Sequence, residues 1–245
     1  MDILFILLIF LASVMVGSIS FARIITRIFA GKDVTNFEIP VEGTEESYKV
    51  ISIGANSVSS VLGPKMGMLV SVLDILKVLV PVLVCKLLFA NQPIYPIVAA
   101  IGGLVGHIWP IYYRFHGGSG FSAIIAGLLV IDPLSILFTT IVGIVLGILV
   151  FRNMVVATLS WLWLLIPWFW WRFDGQAIYL IYAVLLNILF IMAMIPEIKT
   201  GLKFKREGKT AEYGLGSLSS HPMGRGFLKM AKAVGFMKET EKKEP

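Results

Sequence analysis

The chain has 245 residues and a formal net charge of +6, with 57% hydrophobic and 15% charged residues. Soluble domains carry about 25% charged residues, because they must cover their surface with polar groups. The composition therefore excludes an ordinary soluble globular domain and predicts an integral membrane protein.

Seven apolar runs are candidates for membrane-spanning helices. The first is predicted to be a retained span rather than a signal peptide, because Asp2 stands where a basic n-region belongs and no clear cleavage site follows. The fourth run is short and ends at Asp132 and Pro133, so a count of six spans is the alternative. The sequence predicts an all-α polytopic membrane helical bundle with seven spans, at Ile3–Phe21, Gly67–Phe89, Ile94–Tyr113, Phe121–Ile131, Leu134–Phe151, Met154–Trp171 and Ala177–Ile195.

The basic residues predict the orientation of these spans. With seven spans, one side of the membrane receives the C-terminal tail together with Arg23, Arg27, Lys32, Arg114 and Arg152. Cytoplasmic loops are enriched in Lys and Arg. We therefore expect a multi-pass protein of the cell (inner) membrane, with an extracytoplasmic N-terminus and a cytoplasmic C-terminus. Basic residues placed in this way fit an anionic leaflet rather than nucleic acid.

The tail divides the chain into a transmembrane domain, residues 1–196, and a basic cytoplasmic segment, residues 197–245. Within the tail, apolar residues recur at helical spacing between lysines, at Phe227, Met230, Ala231, Val234 and Met237. This pattern predicts a short amphipathic helix on the membrane surface. A merely solvated basic tail is the alternative.

Two ionisable residues fall inside the second predicted span. Asp74 and Lys77 are separated by three positions, which puts them on one helix face where they can pair. Membrane spans avoid charged groups because burying them is costly. The pair is therefore either a structural ion pair within the bundle or a point of substrate contact.

His107 lies about two turns before the inner end of the third predicted span, close to a glycine-rich loop. A lone buried histidine is usually a hydrogen-bonded core residue. Here Arg114 and His116 follow it, and the loop opens a helix whose N-terminus favours negative charge. Glycines also tolerate the backbone angles that wrap an anion. We expect an anion-binding site made by His107, Arg114, His116, Gly117, Gly118, Ser119 and Gly120.

A third polar cluster stands just ahead of the second span. It contains Ser52, Gly54, Asn56 and Ser57. These residues either cap a helix or donate hydrogen bonds to phosphate or hydroxyl oxygens. A single cysteine, Cys85, excludes a disulfide framework and a thiolate metal cluster.

Several motifs, in order, resemble the bacterial acyl-phosphate:glycerol-3-phosphate acyltransferases of the PlsY type. Leu73, Asp74 and Lys77 match the family's Leu-Asp-Xaa-Xaa-Lys. The other matching segments are Gly17–Phe21, Ile53–Ala55 with Val58, Leu62–Gly63, Gly106–His107 with Pro110, and the glycines of the loop at 117–120. The resemblance covers roughly residues 1 to 200.

The resemblance implies a seven-span membrane acyltransferase of phospholipid biosynthesis. Its substrates would be acyl phosphate and glycerol 3-phosphate or a related acceptor, with His107 as the catalytic residue, no metal and no cofactor. The family's two loop lysines are replaced by His116 and Ser119, and its third motif is reduced to the region of Lys199, which could supply a phosphate contact. These replacements favour the alternative, a non-catalytic lipid-binding or assembly protein derived from the same fold.

Overall fold

The computed structural model describes residues 3–40, 47–50, 52–147 and 154–206. The regular secondary structure of this part of the chain is helical apart from one short antiparallel hairpin, in which strand β1 (Glu38–Pro40) pairs with β2 (Ser47–Lys49). The helices are α1 (Ile3–Gly17), α2 (Phe21–Ala30), α3 (Ala55–Leu62), α4 (Pro64–Leu88), α5 (Ile94–Ile108), α6 (Phe121–Ile131), α7 (Pro133–Val145), α8 (Met154–Trp163), α9 (Leu165–Arg172) and α10 (Ala177–Arg206).

The predicted all-α membrane bundle is confirmed, but the count of seven spans is not. Within the described residues, four helical stretches are long and apolar enough to cross a membrane: Ile3–Ala30, Pro64–Leu88, Ile94–Tyr113 and Ala177–Pro196. The apolar helices α6 and α7 are shorter, and only Asp132 separates them. Many large apolar side chains are exposed along α4, which suits contact with hydrocarbon rather than water.

Two predicted spans are interrupted in the structure. The first helix stops at Gly17, before the predicted end of the first span, and α2 begins at Phe21, the last residue of that predicted span. The predicted span Met154–Trp171 is divided at Leu164 into α8 and α9. Pro167 lies in the first turn of α9, where its missing N–H is tolerated, but it cannot donate to the carbonyl of Trp163 and continue α8.

The last helix, α10, continues through Pro196 to Arg206. The predicted domain division after residue 196 therefore falls inside a helix and stays a prediction. The predicted amphipathic helix of the tail, between residues 227 and 237, lies outside the described residues.

Helices α1 and α5 approach each other closely through glycines. A β-carbon on Gly106 would lie 2.2 Å from the Val14 carbonyl oxygen, and one on Gly17 would lie 2.4 Å from the Gly103 carbonyl oxygen. Small residues at such crossings let membrane helices pack backbone to backbone. This contact brings the ends of α1 and α5 together, where the candidate site lies.

The interior forms two apolar clusters. The larger one lies among α4, α5, α6, α8, α9 and α10 and includes the fully buried Phe169 and Tyr182. The smaller one joins α2, α3 and α4 through Ala22, Ile25, Val58 and Val70. Ile53 also belongs to the smaller cluster, so this cluster fixes the segment that approaches the glycine loop.

Candidate functional site

A small pocket forms where the C-terminal ends of α1 and α5 meet α4 and the glycine loop. Elements distant in sequence contribute to it, because the α1–α5 crossing and the packing of α4 on both helices bring them together. Its lining residues are Gly17, Ser18, Ile19, Ser20, Ile53, Asp74, Lys77, His107, Pro110, Gly117 and Gly118.

The Asp74–Lys77 pair lies in the wall of this pocket. Lys77 Nζ is 2.7 Å from Asp74 Oδ1 and donates a second hydrogen bond, of 2.6 Å, to the Ile19 carbonyl. Both side chains are more than nine-tenths buried. A buried ammonium group is tolerated when a carboxylate and further acceptors surround it. The spacing of three residues on α4 thus produces a buried ion pair that also binds the segment between α1 and α2.

His107 extends this pair into a cluster of three ionisable groups. Its Nδ1 atom lies 3.9 Å from Asp74 Oδ1, beyond hydrogen-bond distance, and has no hydrogen-bond partner among the described residues. The His107 side chain is 6% exposed. A buried polar atom without a partner is uncommon in proteins and is found where a ligand or water completes the site. His107 therefore brings an unpaired nitrogen to the pocket.

The glycine loop is held against His107 by backbone hydrogen bonds. Gly118 N–H donates to the His107 carbonyl at 3.1 Å, and Ile53 N–H donates to the Gly117 carbonyl at 3.0 Å. The two glycines are required by packing, since a β-carbon on Gly117 would lie 2.3 Å from the His107 carbonyl oxygen and one on Gly118 would lie 2.5 Å from His107 Nε2. The Gly118 amide is thus directed into the protein rather than towards an anion.

The turn before this loop is conformationally unusual. Arg114 and Phe115 have φ values of 52° and 60°, and Gly120 has a φ of 87°. Residues other than glycine rarely adopt the left-handed region, and such conformations persist where surrounding contacts impose them. Here Phe115 N–H donates to the Pro110 carbonyl, and His116 Nδ1 lies 2.6 Å from the Arg114 carbonyl oxygen.

The predicted site residues fall into two groups. Asp74, Lys77, His107, Gly117 and Gly118 line the pocket. The others do not line it: Ser52 and Ser119 are half-buried, Gly54 and Ser57 form the start of α3, Gly120 precedes α6, and Asn56, Arg114, His116 and Lys199 are exposed.

The hydroxyl group of Ser57 serves mainly to start α3. Its Oγ accepts a hydrogen bond of 3.1 Å from Gly54 N–H and donates one of 2.8 Å to the Gly54 carbonyl. Side-chain oxygens satisfy unpaired backbone groups at helix starts in this way. Of the two sequence-based alternatives for this cluster, capping accounts for Ser57.

Two further groups near the site were not predicted from the sequence. Ser18 and Ser20 line the pocket, and Ser18 Oγ accepts a hydrogen bond from Ile111 N–H. Arg23 was counted only as a basic residue near a span end, yet it is buried and ion-paired with Asp33 at 2.9 Å. The available signal was the polar face of the amphipathic helix α2, where Arg23 and Thr26 lie opposite the exposed Ile28. In a membrane bundle such a polar face packs against the protein while the apolar face meets lipid.

Asp33 lies outside the membrane-spanning segments, just after α2. Burial raises the pKa of its carboxyl group, but hydrogen bonds from Thr35 and the nearby Arg23 guanidinium outweigh burial and hold that pKa below its usual value. The carboxylate therefore stays charged at neutral pH. Among the described residues, no group of three or more His, Cys, Asp or Glu side chains is placed to hold a metal ion.

Comparisons with known proteins identify the family of this chain. The model of the family described as glycerol-3-phosphate acyltransferase matches residues 7–203. A glycerol-3-phosphate acyltransferase of Legionella pneumophila (strain Corby) is 34% identical over 174 residues, which is 71% of this chain and 50% of that protein. One from Anaeromyxobacter sp. (strain Fw109-5) is 32% identical over 125 residues, 50% of this chain and 56% of that protein. The chain thus spans about half the length of these curated relatives.

The fold is similar to that of a solved membrane protein. The crystal structure of PlsY (YgiH), an integral membrane glycerol 3-phosphate acyltransferase, in its glycerol 3-phosphate form superposes with a TM-score of 0.62. The alignment covers 83% of this chain and 93% of that chain, with 23% sequence identity. This likeness establishes the fold.

Proposed function

The chain belongs to the glycerol-3-phosphate acyltransferase family, and we propose that it transfers a fatty acyl group from acyl phosphate to glycerol 3-phosphate or a related acceptor in phospholipid biosynthesis. The observation that carries this proposal is the Nδ1 atom of His107, which has no hydrogen-bond partner among the described residues and is buried beside the Asp74–Lys77 pair and against the glycine loop. A cluster of ionisable groups in a pocket is expensive inside a membrane bundle and marks a functional site.

The proposed reaction is a substitution at the acyl carbonyl carbon. The acceptor hydroxyl oxygen forms the new ester bond, the bond from the carbonyl carbon to the bridging phosphate oxygen breaks, and inorganic phosphate leaves with the electron pair. The hydroxyl proton passes to the phosphate released or to solvent. Because acyl phosphate is already an activated mixed anhydride, the protein has mainly to orient both substrates and stabilise developing negative charge.

We assign His107 the role of orienting or polarising the acceptor hydroxyl or a phosphate oxygen through its unpaired ring nitrogen. Lys77 contributes positive charge at the pocket, reduced by its pairing with Asp74. We propose that phosphate is also contacted from outside the pocket by Arg114, His116 and Ser52. Arg114 and His116 are exposed where the glycine loop begins. Gly54, Asn56, Ser119, Gly120 and Lys199 stay predictions.

The direct test is transfer by the purified protein in detergent or liposomes. We expect acyl phosphate and labelled glycerol 3-phosphate to give labelled acylated glycerol 3-phosphate and one equivalent of inorganic phosphate. The alternative, a non-catalytic lipid-binding protein, predicts saturable binding of lipid with no acylated product under conditions in which an active relative produces it. Failure with glycerol 3-phosphate but transfer to another hydroxyl acceptor would keep the reaction and change the substrate.

We also propose that the site faces the cytoplasm, with the N-terminus outside and the C-terminus inside the cell. Arg23, Arg27, Lys32 and Arg114 all belong to the end of the bundle that holds the pocket, as the positive-inside bias requires. In a Cys85→Ala background, Asn91→Cys should react with a membrane-impermeant thiol reagent added to whole cells, and Lys32→Cys should react only after permeabilisation. The reverse pattern would invert the topology.

A further inference from the structure

Arg23 lies at the junction between α2 and the glycine loop. Its Nη1 atom donates to Asp33 Oδ1 at 2.9 Å, and its Nη2 atom donates to the His116 carbonyl oxygen at 3.1 Å. The guanidinium carbon also stands 4.9 Å from the centroid of the Tyr113 ring. The side chain is 9% exposed. One buried cation therefore contacts the beginning of the loop and the turn that precedes it.

The orientation of the guanidinium group is fixed from the opposite side by Asp33. That carboxylate accepts hydrogen bonds from Thr35 N–H at 3.1 Å and from Thr35 Oγ1 at 3.0 Å, besides those from Arg23 and Arg27. A planar guanidinium with fixed donors can bridge a carboxylate and a carbonyl in a way that a lysine ammonium on a flexible stem cannot reproduce. Asp33 thus holds Arg23 in the position that reaches His116.

The loop depends on few other contacts outside itself. Its long-range hydrogen bonds, among the described residues, are the backbone pairs at Gly117 and Gly118 and the bond from Arg23 to His116. The others are local, from His116 N–H to the Tyr113 carbonyl and from Ile124 N–H to the Gly120 carbonyl. Arg114 and Phe115, immediately before, occupy the left-handed region. A strained turn retains its conformation only when surrounding contacts impose it. The hydrogen bond from Arg23 to the His116 carbonyl is a side-chain contact that imposes this conformation at the end of the turn.

We propose that Arg23 is a positioning residue that anchors the glycine loop, and through the contact between Gly118 and His107 keeps the imidazole in its working position. This inference rests on the proposed function, since the loop and His107 are assigned to the acyl-transfer site. Arg23 does not touch the pocket itself and acts through His116 and the loop. Asp33 is its supporting partner.

Arg27 provides a matched control for Arg23. Its Nη2 atom is 2.7 Å from Asp33 Oδ2, so both arginines pair with the same carboxylate from the same helix. The Arg27 side chain, however, is 57% exposed and donates no hydrogen bond to the loop among the described contacts. Comparing Arg23→Lys with Arg27→Lys therefore separates anchoring of the loop from loss of an arginine beside Asp33.

The first readout is hydrogen exchange of the Gly118 amide in the full-length protein in detergent. We expect Arg23→Lys to accelerate this exchange about tenfold, as for loss of one hydrogen bond from a charged donor, with Arg27→Lys unchanged. The second readout is steady-state acyl transfer. Here Arg23→Lys should lower kcat about tenfold with a smaller change in KM, because it acts by displacing His107, and Arg27→Lys should change neither.

Equal exchange and equal kinetics in the two variants would overturn the inference. If Arg23→Lys does not fold, Asp33→Asn decides in its place: it retains an oxygen for Thr35 and removes the charge that fixes Arg23. Faster Gly118 exchange in that variant supports the inference, and unchanged exchange overturns it. An inactive wild-type protein whose Gly118 exchange still responds to Arg23→Lys would contradict the proposed function and leave the anchoring role standing.

Discussion

His107 and Gly118 fit together so closely that a β-carbon on residue 118 would lie 2.5 Å from His107 Nε2. The same two residues share a backbone hydrogen bond, from Gly118 N–H to the His107 carbonyl, of 3.1 Å. The loop and the imidazole therefore form one packed unit. A substitution at either residue must therefore displace the other.

The Gly118→Ala substitution tests this unit. Because the added methyl group overlaps the imidazole, we expect His107 to shift and acyl transfer to fall about a hundredfold, since small displacements of reacting groups have effects of that size. Thermal unfolding in detergent should move by only a few degrees, as the loop lies at the edge of the bundle. Full activity would show that the imidazole position does not matter to the reaction.

The Asp74–Lys77 pair predicts strong non-additivity. Lys77→Met leaves the buried Asp74 carboxylate without its cation and should lower the free energy of unfolding by about 3–5 kcal/mol. Asp74→Leu should have a similar effect, because it leaves the buried Lys77 ammonium without its carboxylate. The double variant removes both charges and should be much less destabilised than the sum of the two. Unfolding by a denaturing detergent measures all three. Additive losses would mean that the two charges do not interact.

The crossing of α1 and α5 predicts an unusual response to alanine. In an ordinary helix, replacing glycine with alanine stabilises by about 1 kcal/mol, because glycine is the poorer helix former. At Gly106 the new methyl group would lie 2.2 Å from the Val14 carbonyl oxygen, so Gly106→Ala should lower the thermal unfolding temperature. An unchanged or higher unfolding temperature would contradict the close packing.

The lowered pKa of Asp33 predicts a loss of stability in acid. Its ionised form is favoured in the folded protein, so its stabilising contribution is complete above the unfolded pKa of about 4 and is lost as the pH falls through the still lower folded value. The stability difference between the wild type and Asp33→Asn should therefore be constant from about pH 6 to 8 and shrink towards about pH 3. A difference that grows in acid would reverse the assigned sign.

Much of the fold could be predicted from hydrophobicity alone, because the bilayer requires long apolar helices. The limits of α6, Phe121–Ile131, were predicted as they stand. The breaks at Ser18–Ser20 and at Leu164 were missed, since the residues on both sides are apolar and hydrophobicity does not reveal where backbone hydrogen bonding stops.

The candidate site was predicted in part. Asp74, Lys77, His107 and the glycines were recognisable because charge within a span and glycines beside a histidine are unusual locally. Arg23 was not, because its meaning depends on a contact with His116, 93 positions away. Tertiary contacts of this length leave no periodic pattern in a single sequence. Ser57 was ambiguous until the Gly54 hydrogen bonds showed that its hydroxyl group caps α3.

The central claim is that this chain transfers acyl groups at the pocket around His107. The most direct measurement compares the rate at which wild-type and His107→Ala proteins form acylated glycerol 3-phosphate from acyl phosphate, with thermal unfolding as the check on folding. We predict measurable transfer by the wild type and a rate about a hundredfold lower for the variant. A folded wild-type protein that forms no acylated product where an active relative does, or a His107→Ala variant as fast as the wild type, would contradict it.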